Sequence, residues 1–224
     1  MLLQIVFRAH MEPPTKKRKG PLADIKVVLP SIAATFGLPV DDDYQPDHHG
    51  VRMGTKTVYK DIWTPNDTAC QEHDARLRLV TSLGSGVPRL LYLQRRGANL
   101  IYVQAKIAHA QSPAKWSMSR HQAELLCDQL ATILERAHSV GLYHRDVKPS
   151  NVLVTKTHKA FLVDWDHQDD SPGDLTWATE AGADPELVEE LMAMRTNSAE
   201  FDLGTLAVLR DHWLPTRTVP SYIG

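Results

Sequence analysis

The most constraining feature of this 224-residue chain is a polar nonapeptide between two apolar stretches. Residues 143–151 read YHRDVKPSN and directly follow an amphipathic helix predicted over residues 119–140. An apolar run ending in Asp164 comes 13 residues after Asn151. Carboxylate, ammonium and amide groups at such fixed spacing suit hard cations and anionic oxygens. A polar site placed between a helix and short strands is therefore expected.

The flanking pattern predicts an α+β fold in two lobes, strand-rich in the first half and helix-rich in the second. Ser119 and Gln122 form a capping-box pattern before the main helix, and Gly141 follows its end. The other predicted elements are strands at 25–29, 57–59, 87–93, 99–104, 152–154 and 160–163, and helices at 66–82, 185–195 and 201–213.

These motifs resemble the protein kinase superfamily. His-Arg-Asp, then Lys two residues later and Asn five residues after the Asp, is the pattern of its catalytic loop. Asp164-Trp165-Asp166 resembles the family's metal-binding Asp-Phe-Gly element, in a version similar to fungal-type protein kinases. The resemblance covers residues 24–213, and it implies a small β-rich lobe over about 23–104 and a mainly helical lobe over about 105–213.

The resemblance assigns a role to each polar residue of the loop. Asp146 would accept the proton of the attacking hydroxyl, and Lys148 would neutralise charge on the γ-phosphate. Asn151 and Asp164 would hold Mg²⁺ through oxygen atoms. His144 and Arg145 would brace the loop.

Val58-Tyr59-Lys60 resembles the strand whose lysine holds the α- and β-phosphates of ATP. In a competing register this triplet follows the family's glycine loop and the lysine comes shortly afterwards, but residues 61–105 contain no Lys. Lys60 is therefore assigned by elimination. Its carboxylate partner is expected to be Glu72, favoured by side-chain type, or Asp74, favoured by its spacing to Pro88.

The nucleotide elements of the family are only partly present. The G-x-G-x-x-G pattern is absent; Gly50 and Gly54 precede Lys60, and Gly37 lies further back. Residues 103–106 resemble the linker between the lobes, so Val103 and Gln104 are expected to meet the adenine through their backbone groups.

The resemblance implies a Ser/Thr protein kinase that uses ATP and Mg²⁺ to phosphorylate a protein hydroxyl. Lys148 favours this activity over a small-molecule phosphotransferase, the third hypothesis. The second hypothesis is a pseudokinase or scaffold, supported by the missing glycine pattern, by the Trp165-Asp166 departure and by a short helical lobe.

Composition excludes several other classes. A net charge of −2 argues against general nucleic-acid binding, two cysteines against a disulfide scaffold, and the lack of a long apolar run against a membrane span. Residues 1–22 are expected to form a disordered basic arm. Its Lys16–Lys19 cluster resembles an import signal read by importins, which predicts a nuclear, or nuclear and cytoplasmic, protein.

The last predicted helix carries an apolar stripe and an acid. Asp202 resembles the carboxylate that anchors the family's buried helix, and Ala183–Glu186 resembles a degenerate Ala-Pro-Glu element. The helices that follow in the family have no counterpart before the tail at 214–224. The stripe is therefore predicted to be uncovered, so that the protein self-associates or docks a partner there. It consists of Leu203, Leu206, Leu209 and Trp213.

Overall fold

The computed structural model describes residues 34–35, 51–54, 56–96, 99–113, 118–166, 175–194 and 196–214. Several sequence-based predictions lie outside these residues, namely the basic arm with Lys16–Lys19, the strand at 25–29, Gly37, Gly50 and nearly all of the tail.

An antiparallel four-stranded sheet in the order β1-β2-β4-β3 carries the first half of the site. Its strands are β1 (Val51–Met53), β2 (Thr57–Trp63), β3 (Leu90–Arg96) and β4 (Asn99–Ala105). The central strand β4 is rich in β-branched and aromatic residues, which favour a pleated, buried position. Helix α1 (Asp67–Ser82) packs on the sheet through a cluster of Cys70, Leu77, Leu100 and Tyr102.

The remaining elements are helical apart from one short hairpin. Helix α2 spans Arg120–His138 and begins with the predicted capping box of Ser119 and Gln122. A 3-10 turn at Pro149–Asn151 leads into the antiparallel pair β5 (Val152–Val154) and β6 (Ala160–Leu162). Helices α3 (Thr176–Glu180), α4 (Pro185–Ala193) and α5 (Ala199–Trp213) follow.

One apolar cluster fixes the polar loop between α2 and β5. Leu130 and Leu134 of α2 are fully buried and pack with Val152, Leu162 and Leu209 in this cluster. Burial of one such side chain contributes about 1.5–3 kcal/mol. The ends of residues 143–151 are therefore held by the main core.

The predicted uncovered stripe on α5 is mostly buried, which corrects that prediction. Leu206 and Leu209 belong to the same core cluster as α2, and Trp213 packs against it. Leu203 alone of the four is an exposed large hydrophobic residue, at 43%. The stripe faces α2 because residues 206, 209 and 213 share one helical face. Self-association stays a prediction that this buried face does not support.

The predicted α+β, kinase-like fold is confirmed. The main differences are boundaries and two short elements, β1 and α3, which are too short for a periodic pattern to indicate. The proposed lobe and domain limits stay predictions. None of the helices in the described part of the chain is long and apolar enough to cross a membrane.

Candidate active site

A buried carboxylate on α5 holds the start of the polar loop. Asp202 accepts hydrogen bonds from the backbone N–H groups of His144, at 2.7 Å, and Arg145, at 2.8 Å. It also lies 2.9 Å from Nε2 of His138 at the end of α2. Arg145 adopts φ of +72°, a strained conformation for a non-glycine residue, and these bonds maintain it. Asp202 thus has the anchoring position expected from the sequence.

Three predicted residues of the loop are in direct contact. Nζ of Lys148 lies 2.7 Å from Oδ2 of Asp146. Nδ2 of Asn151 donates to the backbone oxygen and to Oδ2 of Asp146, both at 2.9 Å. Since its amide nitrogen is used in this way, the amide oxygen of Asn151 is the side-chain atom that would contact a cation. The carboxylate of Asp146 is held between a cation and an amide.

His144 connects the loop to the chain just before Asp164. Its Nε2 lies 2.9 Å from the oxygen of Val163, and its Nδ1 accepts from the N–H of Asp146 at 3.3 Å. This network assigns the neutral tautomer with the proton on Nε2. Burial lowers the pKa of His144, and Trp165 packs edge-on against its ring at 4.6 Å. His144 therefore braces the site as a neutral side chain.

Lys60 meets Asp164 from the opposite side of the site. Its Nζ hydrogen-bonds Oδ1 of Asp164 and lies 3.1 and 3.2 Å from the two oxygens of Asp166. The lysine side chain is 11% exposed, whereas Asp164 is 43% exposed and has φ of +70°. The fold thus brings Lys60 of β2 and Asp164 together across 104 residues.

The predicted pairing of Lys60 with Glu72 or Asp74 is wrong in this structure. The buried face of α1 consists of residues 70, 73, 77 and 80, so that position 72 is exposed. Asp74 forms an ion pair with Arg78 at 3.0 Å, one helical turn away. The helical register therefore directs both carboxylates away from the lysine.

Asp166 is the acidic partner that the sequence analysis missed. Besides Lys60, it accepts a hydrogen bond from the Tyr102 hydroxyl at 2.9 Å. Burial alone would raise the pKa of Asp166, but Lys60 and the Tyr102 hydrogen bond lower it below the ordinary value. Burial and the same carboxylate raise the pKa of Tyr102 well above its ordinary value. The second acidic residue of the Asp164-Trp165-Asp166 motif was the sequence feature that could have indicated this partner of Lys60.

Arg76 of α1 ties the helix to both halves of the site and was also missed. Its Nε donates to the Trp165 oxygen at 2.9 Å, and its Nη2 donates to the Tyr143 oxygen. Burial, followed by repulsion from Arg145, lowers its pKa to about 10, so the guanidinium remains charged at neutral pH. Helix α1 therefore contacts both Asp164-bearing and Asp146-bearing segments.

His73, one turn before Arg76, is buried near the Lys60–Asp166 pair. Burial lowers its pKa to about 4; Asp166 opposes the shift, while Arg76 and Lys60 add to it. Its Nε2 has no hydrogen-bond partner among the described residues. In the sequence, the inward position of His73 was indicated only by its i, i+3 spacing to Arg76 on the buried face of the helix.

Val103 and Gln104 lie inside β4 and not in a linker, which corrects their assignment. Val103 pairs with Tyr59 and Tyr92 on the two neighbouring strands, and Gln104 pairs with Val58 and Leu90. A central strand uses its backbone groups in both ladders, which leaves them unavailable to a base. The chain leaves the sheet only at Lys106, whose N–H donates to the Lys56 oxygen at 2.9 Å.

Gly54 lies in the turn between β1 and β2. Its N–H donates to the Thr57 oxygen at 2.8 Å, and its oxygen accepts from Nζ of Lys106 at 3.2 Å. These bonds make Gly54 part of a closed hairpin turn. Gly37 and Gly50, the other glycines considered for phosphates, lie outside the described residues.

The oxygen donors present suit a hard divalent cation. Asp164 offers a partly exposed carboxylate, and Asn151 an amide oxygen. No group of three or more His, Cys, Asp or Glu side chains in the described ranges could hold a metal ion by itself. The cation would therefore need additional oxygens, such as those of phosphates.

Comparison with known proteins agrees with this geometry. The profile of the lipopolysaccharide kinase (Kdo/WaaP) family matches residues 41–173. A probable serine/threonine-protein kinase FMP48 of Saccharomyces cerevisiae is 37% identical over 73 residues, which are 32% of this chain and 20% of the relative. A protein kinase and PP2C-like domain-containing protein of Arabidopsis thaliana is 30% identical over 152 residues, or 63% of this chain and 22% of the relative.

Serine/threonine-protein kinase PknH of Mycobacterium bovis is 46% identical over 44 residues, which are 20% of this chain and 7% of the relative. The chain thus covers less than a quarter of the length of each of these relatives. The resemblance to the protein kinase superfamily is confirmed, and one of these relatives is a fungal kinase. The chain belongs to the lipopolysaccharide kinase (Kdo/WaaP) family, within the protein-kinase-like superfamily.

Proposed function

We propose that this protein transfers the γ-phosphate of ATP to a serine or threonine hydroxyl of a protein. Family membership supports phosphotransfer in general. The observation that carries the proposal is the convergence of Lys60 from the sheet, the Asp146–Lys148–Asn151 group and Asp164. Positioning and charge neutralisation are the main requirements of phosphoryl transfer, and this group supplies both.

Each side chain receives a role that fits its contacts. Lys60 would hold phosphate oxygens, and Asn151 and Asp164 would hold a divalent cation, proposed to be Mg²⁺. Asp146 would orient the attacking hydroxyl and take its proton, while Lys148, 2.7 Å away, would neutralise developing charge. When bound, Mg·ATP supplies the activated phosphoryl group.

Two observations bear on the identity of the group that accepts the phosphate. Lys148 beside Asp146 and the names of the relatives favour a protein hydroxyl. The description of the matching family favours a saccharide hydroxyl, which is the second candidate. Both acceptors are alcohols, so the same residues would serve either reaction.

Radiolabelled ATP and Mg²⁺ would be supplied with a generic protein substrate in one reaction and a lipopolysaccharide core saccharide in another. We expect label in phosphoserine or phosphothreonine, and its loss in Asp146→Asn. Label on the saccharide alone would select the second candidate. Intact nucleotide binding without transfer to any acceptor would instead support a pseudokinase or scaffold.

We also propose that Lys16–Lys19 directs nuclear import through an importin. In this segment four consecutive basic residues, Lys16-Lys17-Arg18-Lys19, follow shortly after Pro13-Pro14. Replacement of the four basic residues by Ala should abolish nuclear enrichment of a large fluorescent fusion. Unchanged enrichment would show that the cluster is only a solvated charged segment.

A further inference from the structure

We propose that Asp166, supported by Tyr102, is the carboxylate that positions Lys60 for the nucleotide. This inference rests on the proposed phosphotransfer and assigns Asp166 a positioning role in that same site. It replaces the helix carboxylate expected from the family pattern.

Strand register places the two partners of Asp166 side by side. Lys60 of β2 pairs directly with Tyr102 of β4, so their side chains lie on the same face of the sheet. The Lys60 ammonium is 5.9 Å from the centre of the Tyr102 ring. Both polar ends reach Asp166, Lys60 at 3.1 and 3.2 Å and Tyr102 at 2.9 Å. Three separate bonds therefore fix the carboxylate against the lysine.

Asp166 is better suited than Asp164 to remain with the lysine. Asp164 is 43% exposed and is the proposed cation ligand, whereas Asp166 is 15% exposed. Charge-assisted hydrogen bonds strengthen in such a shielded environment. Lys60 would therefore keep Asp166 as its partner, whereas it would share Asp164 with the cation.

The arrangement also gives α1 an indirect influence on Lys60. Arg76 binds the backbone oxygen of Trp165, the residue between the two acids. Movement of α1 would thus displace the Asp164–Asp166 segment as a unit. Asp74, in contrast, forms its ion pair with Arg78, on the same helix.

The kinetic test compares Asp166→Asn and Tyr102→Phe with the matched controls Asp74→Asn and Glu72→Gln. Each variant would be assayed on the acceptor that the wild-type protein labels. We expect the KM for ATP to rise about tenfold in Asp166→Asn and about threefold in Tyr102→Phe, with a smaller change in kcat. The two controls should stay within about twofold of the wild type.

The split between KM and kcat is a readout that a general loss of structure would not produce. Loss of the Tyr102 hydrogen bond removes one of the contacts that hold Asp166 against Lys60. In Tyr102→Phe the KM for ATP should therefore rise while kcat changes less. Because Tyr102→Phe is a milder change, it tests the proposal even if Asp166→Asn fails to fold.

A double-mutant cycle in the absence of nucleotide separates this inference from the proposed function. Lys60→Met and Asp166→Asn should show strongly non-additive effects on urea unfolding, whereas Lys60→Met and Asp74→Asn should be additive. Additivity at 60 and 166, or an unchanged KM in Asp166→Asn, would overturn the inference. Coupling at 60 and 166 in a protein without phosphotransfer would support the pairing and overturn only the proposed function.

Discussion

The two halves of the site are held in different ways. The loop at 143–151 is anchored by Asp202, which accepts two of its backbone N–H groups, and by the neutral ring of His144. Lys60 is held by side chains from another strand and from the segment after β6, Tyr102 and Asp166. The loop therefore depends on backbone anchoring, and the lysine on side-chain charge.

This difference determines what a sequence motif can indicate. The loop's residues lie within nine consecutive positions, so their spacing limits how they can meet. The partners of Lys60 are far along the chain, and strand and helix register select them. Substitutions in the loop half and in the Lys60 half of the site should consequently differ in their effects on stability and on its pH dependence.

The largest expected effect is loss of the loop anchor. Asp202→Ala leaves the N–H groups of His144 and Arg145 buried and unpaired and removes the contact with His138. We expect the free energy of unfolding to fall by about 3–5 kcal/mol in urea. The exposed Asp211 on the same helix is the matched control, and Asp211→Ala should change it by less than about 0.5 kcal/mol. Equal losses of stability in Asp202→Ala and Asp211→Ala would contradict the anchoring of the loop backbone by Asp202.

The second effect belongs to the lysine side and depends on pH. His73 has a pKa of about 4 in the folded protein, against 6.5 ordinarily. Since the unfolded chain binds the proton more readily, stability is complete above pH 6.5 and falls as pH decreases towards 4. Such a shift corresponds to about 3 kcal/mol at the acidic limit.

His73→Gln should flatten this part of the stability profile, measured by urea unfolding between pH 7 and 4. His121→Gln, at an exposed position of α2, serves as the control. His144 has a lowered pKa as well, in the loop half of the site. An unchanged slope in His73→Gln would therefore assign the pH dependence to the loop and not to the surroundings of Lys60.

The third and smallest effect tests the connection between the halves. Arg76→Lys keeps the charge but cannot reach the Trp165 and Tyr143 oxygens with the same fork. We expect a loss of about 2 kcal/mol in stability and a fall in phosphotransfer. Arg78→Lys, two residues along and exposed, should have little effect on either. Equal stability and equal phosphotransfer in Arg76→Lys and Arg78→Lys would show that α1 does not couple the two halves of the site.

The sequence predicted the elements whose signals are local. The Ser119–Gln122 capping box and the contacts among Asp146, Lys148 and Asn151 are examples. Caps and loop motifs are set within a few residues, so spacing is informative. These positions needed no knowledge of distant partners.

The failures concern contacts that depend on register. A one-residue rotation of α1 decides whether position 72, 73 or 74 faces the sheet, and the structure turns His73 inwards. The end of β4 determined whether Val103 and Gln104 were linker or strand. The stripe on α5 could be assigned to the core only once α2 was known to cover it.

We propose that Asp146 and Asp164 perform separate tasks in one phosphotransfer site. Single-turnover transfer from Mg·ATP, with nucleotide binding measured in parallel, tests it most directly. We predict that Asp146→Asn binds Mg·ATP normally but transfers phosphate about 10²- to 10⁴-fold more slowly, whereas Asp164→Ala loses metal-dependent binding as well. Phosphorylation that survives Asp164→Ala would contradict the account.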